Sequence, residues 1–155
     1  MKFKSPLLVV SNLEESKRFY TEVLGLRVIM DFGANVTLTG GIALQTQESW
    51  ITFIGAVNED LIFGHKTMEL YFEEDNFDTF VEKLKGFNGI HFVHPPKQHS
   101  WGQRVVRFYD PDKHIIEVGE NLKSVCLRFL REGLTKNEIA IRMDVPLKLV
   151  ERLLK

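Results

Sequence analysis

The stretch FYDPDKHIIEV, residues 108–118, contains two short apolar runs separated by a tight turn. Pro111 presets the backbone angle that the second position of such a turn requires. The flanking residues 103–109 and 115–118 are rich in β-branched and aromatic side chains. The stretch therefore predicts two adjacent strands joined by the turn at residues 110–113.

The sequence before this stretch repeats one order of elements. In the first copy, apolar residues 7–10 precede a helix that Asn12 caps and Gly25 ends, and the three strands that follow cover residues 26–32, 35–38 and 41–46. In the second copy, a strand over 67–72 precedes a helix capped by Asp75 or Asn76, and the strands cover 90–93, 103–109 and 115–118. The two helix starts, Asn12 and Asn76, lie 64 residues apart. This order of strand, helix and three strands predicts an approximate internal repeat.

The composition is that of one globular domain with a short appendage. The 155 residues are 44% hydrophobic and 26% charged, and the lone Cys126 excludes an internal disulfide and a cysteine metal cluster. A formal net charge of −1 gives no overall attraction to nucleic acid or to an anionic membrane. The N-terminus has only four consecutive apolar residues, too few for a signal peptide or a membrane span, so we expect a cytoplasmic protein.

The charge is unevenly distributed along the chain. Residues 1–120 carry 12 basic and 17 acidic side chains, a net charge of −5, whereas residues 121–155 carry 8 basic and 4 acidic ones, a net charge of +4. The second segment has one glycine, Gly133, and a helical pattern. We therefore predict a domain boundary near Asn121, with a main domain over 1–120 and a helical extension over 121–155.

Two motifs resemble the signatures of a known family. NLEESKRFY at residues 12–20, followed by VLGL at 23–26, looks like the opening signature of the glyoxalase/bleomycin-resistance/dioxygenase family, the vicinal-oxygen-chelate superfamily. Residues 108–118 resemble its closing signature, and the resemblance covers about residues 5–120. It implies an α+β fold in which two paired βαβββ modules, about residues 1–62 and 63–120, form a half-open barrel around a cavity.

The resemblance also implies four ligand positions for a divalent metal on the inner strands of the modules. Here they fall on Ser5, on Leu44 or Gln45, near Thr67, and on Glu117, of which only Glu117 matches the family residue. Alternation favours Gln45 over Leu44. The resemblance is thus consistent with one bound metal ion (Zn, Ni, Mn, Fe or Co) held by Glu117, Gln45 and Glu69, and equally with none.

Alternation along the strands selects further candidates for the cavity. Met68, Leu70 and Phe72 form one apolar set, which leaves Glu69 and Tyr71 facing the other way, and the same argument turns Arg107 and Glu117 inward. Arg107 could neutralise one or both carboxylates without a metal. The candidate catalytic residues are Glu117 and Glu69, and the candidate substrate-binding residues are Arg107, Gln45, Tyr71, Trp101 and Trp50. We assign the two tryptophans to loops or strand edges at the mouth of the barrel, where they would suit a flat or partly apolar molecule, unless they serve core or dimer packing.

The C-terminal segment predicts three amphipathic helices. Thr135 and Glu138 form the pattern of a capping box, and Pro146 marks the start of the last helix. The segment resembles the helix-turn-helix of small transcription factors and resolvases, which implies that Lys148 and Arg152, with Lys155, would face DNA phosphates. Against this, 35 residues are too few to bury their own apolar side chains. We therefore expect the helices to pack on the barrel or on a partner subunit, and we do not expect nucleic acid as a partner.

Three hypotheses for the function follow. The first is a small-molecule enzyme of lyase or isomerase type, acting on a carbonyl- or carboxylate-bearing substrate, with Glu117 and Glu69 as base or metal ligands and Arg107 stabilising an enediolate. The second is a protein that binds a drug-like or aromatic compound without chemistry. The third is a ligand-responsive regulator that uses the C-terminal helices. In each case we expect a small-molecule ligand, a homodimer and no membrane partner.

Overall fold

The computed structural model describes all residues, Met1–Lys155, and contains two open four-stranded sheets and six α-helices. The predicted α+β class with two βαβββ modules and a helical C-terminus is confirmed. The chain forms two compact units: the first contains Met1–Thr67 and Asp110–His114, and the second contains Met68–Tyr109 and Ile115–Lys155. None of the helices has the length and apolar character that crossing a membrane requires.

The first unit contains the first sheet. Its strands are β1 (Leu7–Val10), β2 (Val28–Asp31), β3 (Asn35–Leu38) and β4 (Ala43–Thr46), in the order β1-β4-β3-β2, with β1 parallel to β4. Helix α1 (Leu13–Glu22) follows β1 and begins where predicted, because the Asn12 side chain accepts a hydrogen bond from the Glu15 N–H at 3.1 Å. The buried core of this unit includes Leu8, Val10, Tyr20, Val36, Leu38 and Leu44.

Helix α2 (Gln47–Ile54) follows β4 and was not predicted from the sequence. It carries Trp50, which therefore lies on a helix and not in a loop as expected. The helix has Glu48 in its first turn and ends at Gly55, which adopts a left-handed conformation with φ 66°. Its start lacks the capping signal that marks α1 and α5, because the Thr46 side chain caps no backbone N–H of the helix.

The second unit repeats the topology of the first. Its strands are β5 (Glu69–Glu74), β6 (His91–Gln98), β7 (Arg104–Tyr109) and β8 (Ile115–Glu120), in the order β5-β8-β7-β6, with β5 parallel to β8. Helix α3 (Phe77–Lys85) follows β5 and buries Phe77, Val81 and Leu84. The equivalent strand order of the two sheets confirms the internal repeat predicted from the sequence.

All four strands of the second unit differ from the predicted bounds, β5 and β6 the most. β5 begins at Glu69 instead of residue 67, which leaves Thr67 exposed before the strand. β6 continues to Gln98 instead of ending at residue 93. Its pairing with β7 shifts register twice between Phe92 and Lys97. These irregularities accommodate Pro95 and Pro96, which have no N–H to donate to the sheet.

Asp110, in the closing motif, is the buried centre of a hydrogen-bond cluster in the first unit. Its Oδ2 atom accepts hydrogen bonds from the Tyr20 hydroxyl at 2.9 Å and from His114 Nδ1 at 2.8 Å. Its Oδ1 atom accepts from the backbone N–H groups of Asp112 at 3.0 Å and His114 at 2.7 Å. Asp112 in turn accepts from the Ser11 N–H at 3.1 Å. The opening and closing motifs are therefore bonded to each other, which gives both a structural role.

We expect the stability of the fold to depend on the protonation of His114. Burial by itself lowers the pKa of His114, but the hydrogen bond to Asp110 and the negative charges of Asp110 and Asp112 outweigh it, so this pKa lies above the ordinary value of 6.5. The protonated form therefore contributes stability that is complete below the unfolded-state pKa and is lost as the pH rises through the higher folded-state pKa. Urea unfolding at a series of pH values from about 5 to 9 measures this decline.

Two variants isolate the contribution of His114. His114→Asn keeps a side-chain N–H donor but does not titrate, so this variant should lose the decline in unfolding free energy across that pH range. His91→Asn replaces an exposed histidine, and this variant should keep the decline in unfolding free energy. An H114N protein whose stability still follows the parent curve would show that another group causes the pH dependence.

The C-terminal segment forms the three predicted helices, α4 (Leu122–Arg131), α5 (Lys136–Met143) and α6 (Leu147–Leu153). They enclose a cluster of seven buried side chains, which are Val125, Cys126, Phe129, Ile139, Ala140, Met143 and Val150. Leu122, Leu134, Val145, Leu153 and Leu154 pack against this cluster. The three short helices thus share one central apolar layer, although Ile141 stays 81% exposed.

The segment is also joined to the second sheet, through Glu120 and Gly102. Buried Glu120 accepts hydrogen bonds from Arg104 Nη2 at 2.9 Å and from Arg128 Nη2 at 3.0 Å, and Arg128 also donates to the Gly102 carbonyl at 2.6 Å. Burial tends to raise the pKa of Glu120, but the two guanidinium groups outweigh it and lower this pKa below its ordinary value. Gly102 lies directly against the ring of Phe129.

Candidate functional site

Arg107 lies between two carboxylates on one face of the second sheet. Its Nε atom is 2.9 Å from Glu69 Oε2, and its Nη2 atom is ion-paired with Glu117 Oε2. The strands dictate this grouping, because Glu117 is the register partner of Arg107 on β7 and of Tyr71 on β5. Residues opposite each other in neighbouring strands share a face, and so do Glu69 and Tyr71, two positions apart. The structure thus brings together Glu69, Tyr71, Arg107 and Glu117, as alternation predicted for their strands.

The three charged groups differ in accessibility. The side chain of Glu117 is 8% exposed, that of Arg107 22% and that of Glu69 38%. Glu117 is therefore neutralised by Arg107 within the protein, whereas Glu69 can be reached from solvent. Glu69 Oε2 faces Arg107, and Glu69 Oε1 has no hydrogen-bond partner in the protein.

Two histidines extend this cluster, and the sequence analysis did not assign them to it. His94 on β6 is the register partner of Arg107, and its Nε2 atom lies 3.3 Å from Arg107 Nη1. Arg107 can only donate and the Pro95 carbonyl, 2.8 Å from His94 Nδ1, can only accept, so the His94 tautomer that carries its proton on Nδ1 satisfies both contacts. The pairing of β6 with β7 would have revealed His94, but the register shifts at Pro95 and Pro96 obscured the alternation.

His99 stacks on Trp101 with ring centroids 4.1 Å apart and an interplanar angle of 13°. Burial lowers the pKa of His99, and the positive charges of Arg107 and Lys97 lower it further. His99 is therefore neutral near pH 7, and its stacked neighbour Trp101 presents an aromatic surface near the Arg107 cluster.

Gln103 connects Trp101 to Tyr71. Its Oε1 atom accepts from Trp101 Nε1 at 3.2 Å, and its Nε2 atom donates to the Tyr71 hydroxyl at 2.9 Å and to the Glu120 carbonyl at 2.9 Å. The Tyr71 hydroxyl donates to Glu73 Oε1 at 3.1 Å, and burial raises the pKa of Tyr71. This network holds both aromatic side chains in place on the same unit as Arg107.

The other predicted site residues belong to the first unit. The Gln45 side chain is buried and its amide is already engaged, because its Oε1 atom accepts from Asn35 Nδ2 at 2.7 Å and its Nε2 atom contacts Ser49 Oγ. Trp50 is half-buried on α2. Ser5 and Thr67 lie outside the strands.

The residues of the Arg107 cluster do not fit a divalent metal. Each carboxylate oxygen that faces the centre of the cluster is already paired with the guanidinium, and a divalent cation there would place three positive charges in one small volume. Ser5 and Thr67 offer only neutral hydroxyls at the other family positions. No group of three or more His, Cys, Asp or Glu side chains lies close enough to hold a metal ion.

Comparison with known proteins adds the family. The sequence profile described as the glyoxalase-like domain matches residues 3–123. A protein of unknown function from Agrobacterium tumefaciens str. C58 is 37% identical over 78% of this chain and 94% of that chain, with a TM-score of 0.71. A glyoxalase/bleomycin resistance protein/dioxygenase from Nocardioides is 25% identical over 77% of this chain and 83% of that chain, with a TM-score of 0.62. No curated protein matches.

A glyoxalase/bleomycin resistance protein/dioxygenase family enzyme from Burkholderia phytofirmans PsJN shares the fold at 17% identity, with a TM-score of 0.65 over 76% of this chain and 96% of that chain. The profile spans both sequence motifs and both four-stranded sheets. On this match and on the repeated βαβββ topology, the chain belongs to the glyoxalase/bleomycin-resistance/dioxygenase superfamily.

Proposed function

We propose that this protein binds a flat aromatic small molecule that carries an amine, on the Arg107 face of the second sheet and without a metal ion. The observation that carries the proposal is the position of Arg107 between Glu69 and Glu117. The guanidinium thus lies where a cation between these two carboxylates would bind, and it balances one of their two charges. Among the hypotheses drawn from the sequence, this favours ligand binding over metal-dependent catalysis.

Aromatic side chains near the Arg107 cluster can bind the aromatic part of the ligand. Trp101 and His99 form a stacked pair, and Tyr71 is held by Gln103. Flat rings bind to such surfaces by stacking, and the fixed orientation of the side chains reduces the entropy lost on binding.

Glu69 supplies a carboxylate that can bind the amine of the ligand. Its Oε1 atom accepts no hydrogen bond within the protein and is open to solvent. Glu69, Glu117 and Arg107 together carry a net charge of −1, so a protonated amine is attracted where a carboxylate would be repelled. A hydrogen bond between an amine and a carboxylate is among the stronger ones in proteins.

The test compares phenethylamine with phenylacetate by isothermal titration calorimetry in the presence of EDTA. We expect the amine to bind and the carboxylate to bind at least about tenfold more weakly. Glu69→Gln should weaken amine binding about tenfold or more, because a charged hydrogen bond is replaced by a neutral one. The matched control Glu59→Gln, which neutralises an exposed carboxylate in the first unit, should leave it unchanged.

The proposal is wrong if phenylacetate binds as tightly as phenethylamine, or if EDTA abolishes binding. Equal losses in the Glu69 and Glu59 variants would mean that only the overall charge matters.

Catalysis of an isomerase type is the second candidate, favoured by one observation: the accessible carboxylate of Glu69 lies 2.9 Å from a guanidinium. In a 2-hydroxy ketone, Glu69 could take a proton from the hydroxyl-bearing carbon, and the electron pair would move to the carbonyl oxygen near Arg107. The hydroxyl proton would then pass to that oxygen, and the protonated Glu69, after exchange with solvent, would deliver a proton to the former carbonyl carbon. Incubation of the protein with 2-hydroxyacetophenone in D2O distinguishes catalysis from binding alone. Enzyme-dependent deuterium incorporation that E69Q abolishes would support catalysis, and its absence leaves binding alone.

A further inference from the structure

We infer that the three C-terminal helices bind double-stranded DNA through the exposed face of α6. This inference goes beyond ligand binding by the second sheet and does not depend on it. It concerns a segment that lies almost entirely outside the matched family region, which ends at residue 123.

The three C-terminal helices share a buried apolar core. Seven side chains from α4, α5 and α6 are buried together, and Gly102 lies against the ring of Phe129 in this cluster. Burying these side chains takes up none of the exposed basic residues of α6. Lys148 and Arg152 therefore remain available for a partner.

A short turn connects α5 to α6. The α5 helix starts with a complete capping box, in which the Glu138 N–H donates to Thr135 Oγ1 at 3.3 Å and the Thr135 N–H donates to Glu138 Oε2 at 2.7 Å. It ends at Asp144 in a left-handed conformation with φ 53°, and α6 begins at Leu147, three residues beyond that cap. Two short helices joined by a turn of this length, with a third helix completing the core, have the architecture in which the second helix can enter a major groove.

The exposed face of α6 is positively charged. Lys148 and Arg152 are exposed and lie four residues apart on α6, on the face opposite buried Val150, and exposed Lys155 follows two residues after the helix ends at Leu153. None of the three forms an ion pair in the protein, and Glu151 is the one acidic residue beside them.

The rest of the segment reinforces this charge. Among its eight basic residues, only Arg128 is paired with carboxylates, those of Glu120 and Glu132. Because residues 1–120 carry a net charge of −5 and the segment +4, a polyanion is drawn to the helices and repelled by the main domain. Unpaired cations on α6 and directly after its end are complementary to a row of phosphates, which favours DNA over an apolar protein surface.

The test uses the full chain and a fluorescently labelled duplex of mixed sequence, about 25 base pairs long, with fluorescence anisotropy as the readout. We expect binding whose affinity falls between about 50 and 200 mM salt, with a slope of log K against log salt near −3 for three phosphate contacts. Lys148→Glu combined with Arg152→Glu should weaken binding at least about tenfold and reduce the magnitude of that slope by about two.

The matched control is Lys2→Glu combined with Lys4→Glu, which makes the same change in net charge at two exposed residues far from α6 in the sequence. It should retain nearly all of the duplex binding. Thermal unfolding of both double variants checks that the exposed substitutions leave the fold intact.

Three results would overturn the inference. The first is the absence of salt-dependent duplex binding at about 50 mM salt with protein up to about 100 µM. The second is an equal loss of binding in the two double variants. The third is equal affinity for poly-glutamate and for the duplex, which would point to an acidic protein as the partner.

Discussion

Replacing Asp110 by alanine is expected to lower the free energy of unfolding by about 3–5 kcal/mol, the largest effect of any single substitution predicted for this protein. The carboxylate accepts four hydrogen bonds in a buried position: from the Tyr20 hydroxyl, from His114 Nδ1, and from two backbone N–H groups. Alanine would leave these donors without a partner, and each buried unsatisfied donor costs about 1–3 kcal/mol, reduced where water can enter. Urea unfolding followed by circular dichroism measures the loss.

Two further substitutions show whether the lost acceptors cause the effect. Asp110→Asn keeps one oxygen acceptor, so it should destabilise the protein by less than the alanine variant. Asp75→Ala removes an exposed carboxylate and should change the unfolding free energy by no more than about 0.5 kcal/mol. A loss below about 1 kcal/mol for D110A would refute the structural role given to the two sequence motifs.

Gly102→Ala is expected to lower the free energy of unfolding by about 2–4 kcal/mol for two separate reasons. Gly102 has φ +92°, a conformation that side chains disfavour. A Cβ atom at this position would also overlap the Phe129 ring, with the Cε2 atom only 2.7 Å away. Phe129 is itself part of the buried cluster of the C-terminal helices, so it has little room to move. Chemical denaturation gives the magnitude.

The chain offers a control that separates the two reasons. Gly89 has φ +83°, but no atom lies within 4 Å of the place that an added methyl group would occupy, so Gly89→Ala reports the backbone cost alone. That cost is about 1 kcal/mol. The difference between the two variants measures the overlap with Phe129. If G102A is no more destabilising than G89A, the contact between the loop and the C-terminal helices is looser than the structure shows.

Most of the secondary structure could be predicted from the sequence because its signals are local. Asn12 caps α1, the Thr135–Glu138 box opens α5, and Pro111 marks the turn between β7 and β8. The repeat of strand, helix and three strands was also visible in the order of these signals. Helix α2 was not predicted, since it follows β4 directly and no side chain caps its N-terminus.

Part of the candidate site was predictable for the same reason. Alternation in β5, β7 and β8 placed Glu69, Arg107 and Glu117 on one face, because side chains alternate strictly along a regular strand. His94 was not predicted to join them, since the register shifts in β6 break the alternation at two prolines.

The sequence by itself thus determined the order of the elements and the internal repeat, because caps, turns and alternation depend on residues a few positions apart. The family was indicated separately, by the resemblance of two sequence motifs. The tertiary structure alone decided which charges meet and which faces are covered. It paired Arg107 with both carboxylates, gathered four donors around Asp110, and let three short helices bury their own core. These contacts join residues far apart along the chain or on separate helices, and their free energies depend on distances and burial that no local pattern encodes.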